Sequence, residues 1–223
     1  MRVTTINSIE LSSRCNYSCE YCPAKDQGKH RKTGLMPMET FKKAIEFIKY
    51  FSDKGTQKEV NLFGVGESLL NPDLIEMVKI ARENLSANMP VHLNTNGQLM
   101  TEQIANDLDN YLDQMDITAH KARDAIRAYQ ICRGHKYKLG MSIDFLTQYN
   151  DWAGQVDWFK SEQKYECPWL RDGQAFIMSD GNISTCCFDA FARGIIGNVF
   201  ESDPSELTVQ PFKLCEACHQ LHE

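Results

Sequence analysis

Residues 15–22 read CNYSCEYC, which places Cys15, Cys19 and Cys22 in a C-x3-C-x2-C pattern. Three thiolates can hold three corners of a cubane [4Fe–4S] cluster, whereas ferredoxin-type electron carriers normally use four cysteines for each cluster. The fourth iron then has no protein ligand nearby and is open to a small molecule. The pattern therefore predicts chemistry at the cluster rather than simple electron storage.

A structural zinc site is the alternative interpretation of these cysteines. Zinc sites of that kind have four protein ligands, and the nearest further candidate is His30, in a polar loop some way past Cys22. The three-cysteine segment and its context favour the iron–sulfur cluster.

The same segment resembles the signature of the radical S-adenosylmethionine (SAM) superfamily, in which an aromatic residue, here Tyr21, precedes the third cysteine. The resemblance implies that the open iron chelates the amino and carboxylate groups of SAM, with Tyr21 at the cofactor site. It also implies that one electron from the cluster splits the sulfonium and releases a 5′-deoxyadenosyl radical. In such enzymes the cofactor supplies the reactivity, and the protein orients the reactants and excludes water.

The composition is that of an ordinary globular protein. The chain has 223 residues, enough for one domain or for one domain with a small appendage, and 42% of them are hydrophobic. No apolar run approaches the ~20 residues of a membrane span, and the N-terminus lacks the apolar region of a signal peptide. The net charge of −6 argues against a dedicated nucleic-acid binder. We therefore expect a cytoplasmic protein with no membrane or nucleic-acid partner.

The nine cysteines do not form the pattern of a disulfide framework, because their number is odd and no secretory signal precedes them. In a reducing cytosol, cysteines in such numbers are typical of metal-binding or catalytic sites. Only Cys132 stands alone, as a small buried hydrophobe often does.

The first two-thirds of the chain alternate between strand-like and helix-like segments. Such alternation predicts βαβ units and a parallel sheet. Five strands are too few for a closed eight-stranded barrel, so we expect an α/β fold with a partial, open barrel of about five parallel strands. The predicted strands are 5–12, 60–63, 91–94, 115–118 and 138–146, and the predicted helices are 39–52, 72–85, 101–113 and 121–131.

The pattern changes after about residue 155. Residues 174–178 and 183–186 flank a turn at 179–182 and predict a β-hairpin, and a short helix is expected over 204–213. The sequence therefore predicts a barrel domain over residues 1–155 and a small hairpin and helix domain over 156–223.

In parallel βα folds, functional sites lie at the carboxyl ends of the strands. The loop after the second strand, FGVGESLL at 63–70, resembles the G-G-E-P motif of the family through Gly66 and Glu67, but departs from it at Val65 and Ser68. The resemblance implies that this loop binds the amino group of SAM. Glycine permits close backbone approach, and a carboxylate accepts hydrogen bonds from an ammonium. The alternative is an ordinary βα loop with a solvated glutamate.

The loops after the third and fourth strands carry further candidates. Asn94, Thr95 and Asn96 resemble the T-N-G segment of the family, whose polar groups lie near the ribose or the substrate, although Asn-Gly alone is a turn signal. Thr118 ends the fourth strand, where contacts to ribose or substrate are common in the family. His120 is a candidate proton acceptor near pH 7; the alternative is a solvated histidine.

The loop over residues 25–32 carries five basic side chains, counting one histidine. Such a group suits a phosphorylated or acidic substrate. A solvated charged loop explains it more simply.

A second group of cysteines, Cys167, Cys186, Cys215 and Cys218, contains a C-x2-C pair. Its arrangement resembles the twitch domain, a truncated SPASM domain, which implies an auxiliary [4Fe–4S] cluster fully ligated by protein. Cys187 adjoins Cys186, and neighbouring residues on a strand point to opposite faces, so one of the two is the ligand; the G-N-x-x-x-C pattern favours Cys186. A four-cysteine zinc site is the alternative.

The resemblance extends over most of the chain to short twitch-domain dehydrogenases that act on aminocyclitols. It implies a radical SAM enzyme with two [4Fe–4S] clusters, SAM and a flavodoxin- or ferredoxin-like electron donor. The expected reaction is a two-electron oxidation of a small polar molecule, in which the auxiliary cluster accepts the second electron. The alternatives are a peptide-modifying enzyme, a redox-neutral isomerase, and, in another class, a non-catalytic zinc-binding module.

Overall fold

The computed structural model describes residues 1–142, 152–157 and 166–218. Strands and helices alternate in its first part, as the sequence predicts, and residues 143–146 of the predicted fifth strand lie outside the described residues. The strands of this part are β1 (Thr5–Ile9), β2 (Val60–Leu62), β3 (Val91–Thr95), β4 (Gln114–Thr118) and β5 (Lys138–Ser142), and the helices are α1 (Met38–Asp53), α2 (Leu74–Asn84), α3 (Glu102–Leu108) and α4 (Ala122–Cys132).

Strands β2, β3, β4 and β5 form a four-stranded parallel sheet in that order. Leu62 pairs with Leu93, and Leu93 pairs with Met115, so apolar residues lie side by side across the sheet. Helix α1 buries Phe41 and Ile45 in the same core, because its apolar residues recur at helical spacing. The parallel sheet and its helices confirm the predicted α/β class with a partial, open barrel, but backbone hydrogen bonds join four of the five predicted strands, since β1 belongs to a second sheet.

Strand β1 lies beside β2 but is joined to it through side-chain amides. The Ile6 backbone N–H donates to Gln57 Oε1 (2.8 Å), and Gln57 Nε2 donates back to the Ile6 carbonyl (2.9 Å). Asn61 Nδ2 donates to the Asn7 carbonyl at 2.8 Å. These amides give the backbone of Ile6 and Asn7 the partners that a backbone ladder would otherwise provide.

On its other side β1 pairs in parallel with a strand from the end of the chain. Strands β6 (Gln174–Ile177), β7 (Asn182–Ser184) and β8 (Ile195–Asn198) complete a second sheet in the order β1-β6-β7-β8. The antiparallel β6–β7 pair confirms the predicted hairpin, with Gly181 at φ +86° in its turn. The division of the chain at residue 155 remains a prediction, since residues 158–165 lie outside the described part.

The helix predicted over 204–213 is wrong. Residues 204–206 form a turn, and the chain then runs extended beside the N-terminus: Thr208 bridges Arg2, and the Val209 N–H donates to the Met1 carbonyl at 2.8 Å. Pro211 has no N–H to donate within a helix, and Val209 is β-branched, so the extended pairing prevails. The helical turns of this region are α5 (Pro168–Arg171) and a 3₁₀ turn at Lys213–Ala217. Within the described residues, no helix is long and apolar enough to cross a membrane.

Candidate active site

A cavity of about 300 Å³ opens at the carboxyl ends of the parallel strands. It brings together the cysteine loop after β1 and the loops after β2 and β3, as expected for carboxyl ends of parallel strands, and it also includes residues after β4. Every residue predicted for the cluster and SAM site lines it, although their roles remain predictions. These residues are Cys15, Cys19, Tyr21, Cys22, Gly66, Glu67, Asn94, Thr95, Asn96, Thr118 and His120.

Polar groups surround the Cys15 thiol. The Tyr17 backbone N–H donates to its sulfur at 3.4 Å, and Asn96 Nδ2 lies 3.9 Å away. Asn96 Nδ2 also donates to Asn16 Oδ1 at 2.8 Å, and Asn16 in turn hydrogen-bonds Gln98. N–H donors around a sulfur stabilise a thiolate more than a thiol. Asn16 and Gln98 were not predicted, because Asn16 is a variable position of the cysteine motif and Gln98 lies just after the T-N-G segment.

Burial governs the ionisation of the cysteine loop. Desolvation raises the pKa of the Cys22 thiol to about 12 and raises the pKa of Cys15 as well. Both side chains are therefore protonated at neutral pH when no metal is bound. A metal must displace these protons, since the ligand form of cysteine is the thiolate.

Glu67 is buried, with 3% of its surface exposed, and is not the solvated side chain of the alternative interpretation. Its Oε1 accepts hydrogen bonds from the Leu69 N–H (3.0 Å) and the Thr95 hydroxyl (2.8 Å). Its Oε2 accepts from the Asn96 N–H at 2.8 Å. Burial raises the pKa of this carboxyl and the hydrogen bonds oppose that shift. Glu67 thus joins the loops after β2 and β3.

Gly66 is required by a close backbone approach. A Cβ atom at this position would overlap the carbonyl oxygens of Ser12 and Arg14. The neighbouring Glu67 N–H donates to the Arg14 carbonyl at 2.8 Å. The loop can therefore lie against the start of the cysteine loop only if position 66 has no side chain.

His120 faces the cavity beside the cysteine loop. Its Nδ1 lies 2.9 Å from the Tyr21 hydroxyl, so it is not a free, solvated histidine. Burial lowers the pKa of His120, because desolvation disfavours the charged imidazolium. A neutral imidazole at this position can accept a proton from a molecule in the cavity.

A buried ion pair below the cavity was not predicted. Two nitrogens of Arg31 donate to the two carboxylate oxygens of Glu10, at 2.9 and 2.7 Å, and Arg31 Nε donates to Gln27 Oε1 at 3.0 Å. Glu10 also accepts from the backbone N–H groups of Val65 (3.4 Å) and Ser179 (3.1 Å). A glutamate between the apolar Ile9 and Leu11 is the sequence signal that indicates an inward-facing charge.

The expectation for residues 25–32 needs correction at Arg31. Its side chain is 4% exposed and turns inward, so it belongs to neither a solvated loop nor a substrate-binding patch. The remaining basic residues of the loop are exposed, and the His30 ring stacks on Phe191 at a centroid distance of 4.0 Å.

The second cysteine group lines a separate cavity. Cys167, Cys186, Cys215 and Cys218 all border it, and Cys187 is not among the described residues that do. Backbone N–H groups point at sulfurs of this group: Phe188 donates to Cys186 at 3.4 Å, and Phe212 donates to Cys215 at 3.5 Å. This arrangement agrees with the choice of Cys186 over Cys187.

One turn of the chain borders both cavities. Trp152 lines the first cavity and Ala153 the second. Both residues have left-handed backbone angles, with φ of 52° and 58°, which are unfavourable for a bulky residue such as tryptophan. The Trp152 ring lies 5.4 Å from that of Phe188, which lines the second cavity. Backbone strain of this kind concentrates at functional sites.

Within the described ranges, no three His, Cys, Asp or Glu side chains form a group that could hold a single metal ion. The features that indicate metal binding are therefore the thiols that border each cavity and the N–H groups directed at their sulfurs. Thiolate sulfur is the ligand that iron–sulfur clusters and zinc prefer.

Comparison with known proteins places this arrangement in a family. The model of the radical SAM superfamily matches residues 9–143. The chain is similar to S-adenosyl-L-methionine-dependent 2-deoxy-scyllo-inosamine dehydrogenase of Niallia circulans, with 23% identity over 204 residues that cover 89% of this chain and 80% of that protein. It is also similar to GTP 3′,8-cyclase of Sulfurimonas denitrificans, with 30% identity over 146 residues that cover 65% of this chain and 36% of the relative.

Solved structures of other proteins share the fold. BtrN in complex with AdoMet and 2-DOIA matches with a TM-score of 0.73 and 23% identity, over 91% of this chain and 80% of that one. Native anSMEcpe with bound AdoMet matches with a TM-score of 0.61 and 15% identity, over 95% and 86% of the two chains.

Proposed function

Because the chain belongs to the radical SAM superfamily, we propose that it catalyses a two-electron oxidation of a small polar molecule. Membership implies an enzyme with a [4Fe–4S] cluster and SAM. The observation that carries the finer proposal is the presence of two cysteine-lined cavities bordered by the consecutive residues Trp152 and Ala153. A flavodoxin- or ferredoxin-like protein is proposed as the electron donor.

The first cavity fits the SAM-binding cluster. Cys15, Cys19 and Cys22 supply three thiolates, and N–H donors already face the Cys15 sulfur. Bound there, the cluster and SAM supply a 5′-deoxyadenosyl radical, and a second cluster supplies an acceptor for one electron. Gly66 and Glu67 are proposed to line the methionine part of SAM, with Glu67 holding Thr95 and Asn96 in place.

The second cavity fits an auxiliary cluster. We propose Cys167, Cys186, Cys215 and Cys218 as its four ligands. Four protein ligands would close the site, so this cluster would exchange electrons without binding the substrate. A four-cysteine zinc site remains the alternative, and metal analysis distinguishes the two.

The proposed substrate is an aminocyclitol or a similar small polar molecule. The relative that matches most of the chain is named for 2-deoxy-scyllo-inosamine. Uncharged polar groups of Asn94, Thr118 and Ser142 line the first cavity and suit the hydroxyl groups of such a ring.

His120 is proposed as the proton acceptor. Conversion of a secondary alcohol to a ketone removes one hydrogen atom, one electron and one proton, so the chain must accept the proton. The neutral imidazole, held through Nδ1 at the Tyr21 hydroxyl, lies in the cavity where that proton is released.

The proposed function is tested anaerobically. The protein is reconstituted with iron and sulfide and incubated with SAM, dithionite and 2-deoxy-scyllo-inosamine. We expect about eight irons per chain, with 5′-deoxyadenosine and a ketone formed in equal amounts. Cys187→Ala, the matched control for Cys186→Ala, should keep the full iron count. About four irons together with bound zinc would refute the auxiliary cluster, and deoxyadenosine without any ketone would refute this substrate.

Replacing His120 by glutamine should lower ketone formation by about 10²–10⁴-fold, the usual contribution of general base catalysis. The iron content should not change, because His120 is not a proposed ligand. The ketone and 5′-deoxyadenosine are measured in the same reaction. A variant that forms ketone at the wild-type rate would exclude His120 as the proton acceptor.

A further inference from the structure

Two buried polar atoms beside the second cavity have no hydrogen-bond partner in the described part of the chain. They are the Thr185 hydroxyl oxygen, Oγ1, and the Trp169 indole nitrogen, Nε1. Thr185 is 1% exposed. A buried polar group without a partner costs roughly 1–3 kcal/mol, and native structures contain few of them. Two at one cavity therefore call for a physical explanation.

Both residues lie next to proposed cluster ligands. Thr185 immediately precedes Cys186, and Trp169 follows Cys167 by two positions on α5. Both residues line the cavity that the four cysteines border. The Thr185 backbone N–H is already used, since it donates to the Gly194 carbonyl at 3.0 Å. The hydroxyl is therefore the donor of Thr185 that remains without a partner in the described part of the chain.

The wall of the cavity offers these donors little to bind. Its remaining side chains are aromatic or aliphatic, as in Phe188, Phe212 and Leu214. Indole N–H is a donor only, and a hydroxyl donates as well as accepts. The sulfur atoms of the cysteines and of a molecule held between them are the acceptors that match.

We propose that Thr185 Oγ1 and Trp169 Nε1 donate hydrogen bonds to sulfur atoms of the auxiliary cluster and thereby raise its reduction potential. The inference rests on the proposed function, which puts a [4Fe–4S] cluster between Cys167, Cys186, Cys215 and Cys218. Hydrogen bonds to cluster sulfurs are one of the means by which a protein sets this potential.

The hydrogen bonds raise the reduction potential because of the charge that reduction adds. Reduction adds one electron to the cluster and makes its sulfurs more negative, so a positive N–H or O–H dipole stabilises the reduced form more than the oxidised form. In the proposed reaction that electron comes from the substrate radical, and the accompanying proton goes to a base in the first cavity. A raised potential therefore favours the auxiliary cluster as the electron acceptor.

The test is an anaerobic redox titration of the reconstituted holoenzyme with dithionite, in which electron paramagnetic resonance measures the reduction of each cluster. Thr185→Val removes the hydroxyl at nearly constant volume, and Trp169→Phe removes the indole N–H. For each variant we expect an equilibrium constant for reduction that is lower by about tenfold, which is 59 mV for a one-electron couple. Thr185→Ser keeps the hydroxyl and should restore the wild-type potential.

The SAM-binding cluster of the same molecule serves as the internal control, and its potential should not move. In a variant that also carries Cys15→Ala, Cys19→Ala and Cys22→Ala, the electron paramagnetic resonance signal comes from the auxiliary cluster alone. About eight irons with an unchanged auxiliary potential in both Thr185→Val and Trp169→Phe would overturn this inference and leave the proposed function standing. About four irons in the wild type would overturn the auxiliary cluster itself, and the inference with it. If Thr185→Val does not fold, Trp169→Phe decides: an unchanged auxiliary potential in that variant overturns the inference.

Discussion

Replacing Cys15, Cys19 and Cys22 together by alanine is expected to abolish reductive cleavage of SAM and to lower the iron content from about eight to about four per chain. The three thiols line the cavity at the carboxyl ends of the strands and are the proposed ligands of the SAM-binding cluster. Without them no open iron is available to bind SAM. Iron and sulfide analysis and the yield of 5′-deoxyadenosine with dithionite measure both effects.

Cys132→Ala is the matched control for this variant. Cys132 is 1% exposed and its sulfur lies 3.5 Å from that of Met115, away from both cavities. Its removal should leave the iron content and the SAM cleavage as they are in the wild type. Deoxyadenosine formation by the triple variant would contradict the assignment of the cluster to these cysteines.

Replacing Arg31 by methionine is expected to lower the melting temperature by about 6–20 °C. The substitution leaves the Glu10 carboxylate, which is 0% exposed, without its guanidinium partner. Breaking a buried ion pair costs about 3–5 kcal/mol, and one kcal/mol corresponds to about 2–4 °C in a chain of this length. Circular dichroism melting curves of wild type and variant, prepared in the same way, provide the comparison.

Lys43→Met provides the control, since Lys43 forms an exposed ion pair with Glu46. Its loss should change the free energy of unfolding by about 0–1 kcal/mol. The double substitution Glu10→Leu with Arg31→Met removes both charges and should recover part of the lost stability. Equal melting temperatures for Arg31→Met and the wild type would show that the pair does not stabilise the fold.

The Glu10–Arg31 ion pair also connects segments that carry the two cavities. Glu10 contacts the segment after the cysteine loop through Arg31, the Gly66 loop through the Val65 N–H, and the end of β6 through the Ser179 N–H. The Ser179 turn leads into the hairpin that carries Cys186. One carboxylate therefore connects the surroundings of the two cavities.

Patterns local in the sequence gave most of the fold. Apolar residues that share a buried face recur at one spacing in a helix and at another in a strand. The apolar spacing of α1 therefore identifies a helix, and the alternation of strands with helices predicts the parallel sheet. The predicted helix over 204–213 failed because Thr208 and Val209 pair with residues 1 and 2, which are distant in sequence. Helix α3 ends at Leu108, five residues before its predicted end, since local propensity sets element boundaries only loosely.

The sequence by itself determined the cysteine spacings, the alternation of strands with helices and the loops that follow the strands. Tertiary structure alone decided that Glu67 is buried among three donors and that Arg31 turns inward to Glu10. The physical reason is that burial and hydrogen-bond partners depend on segments far apart in the chain. The spacing of residues in the sequence identifies candidate ligands and binding residues. The packing of the folded chain determines which of their atoms face a cavity.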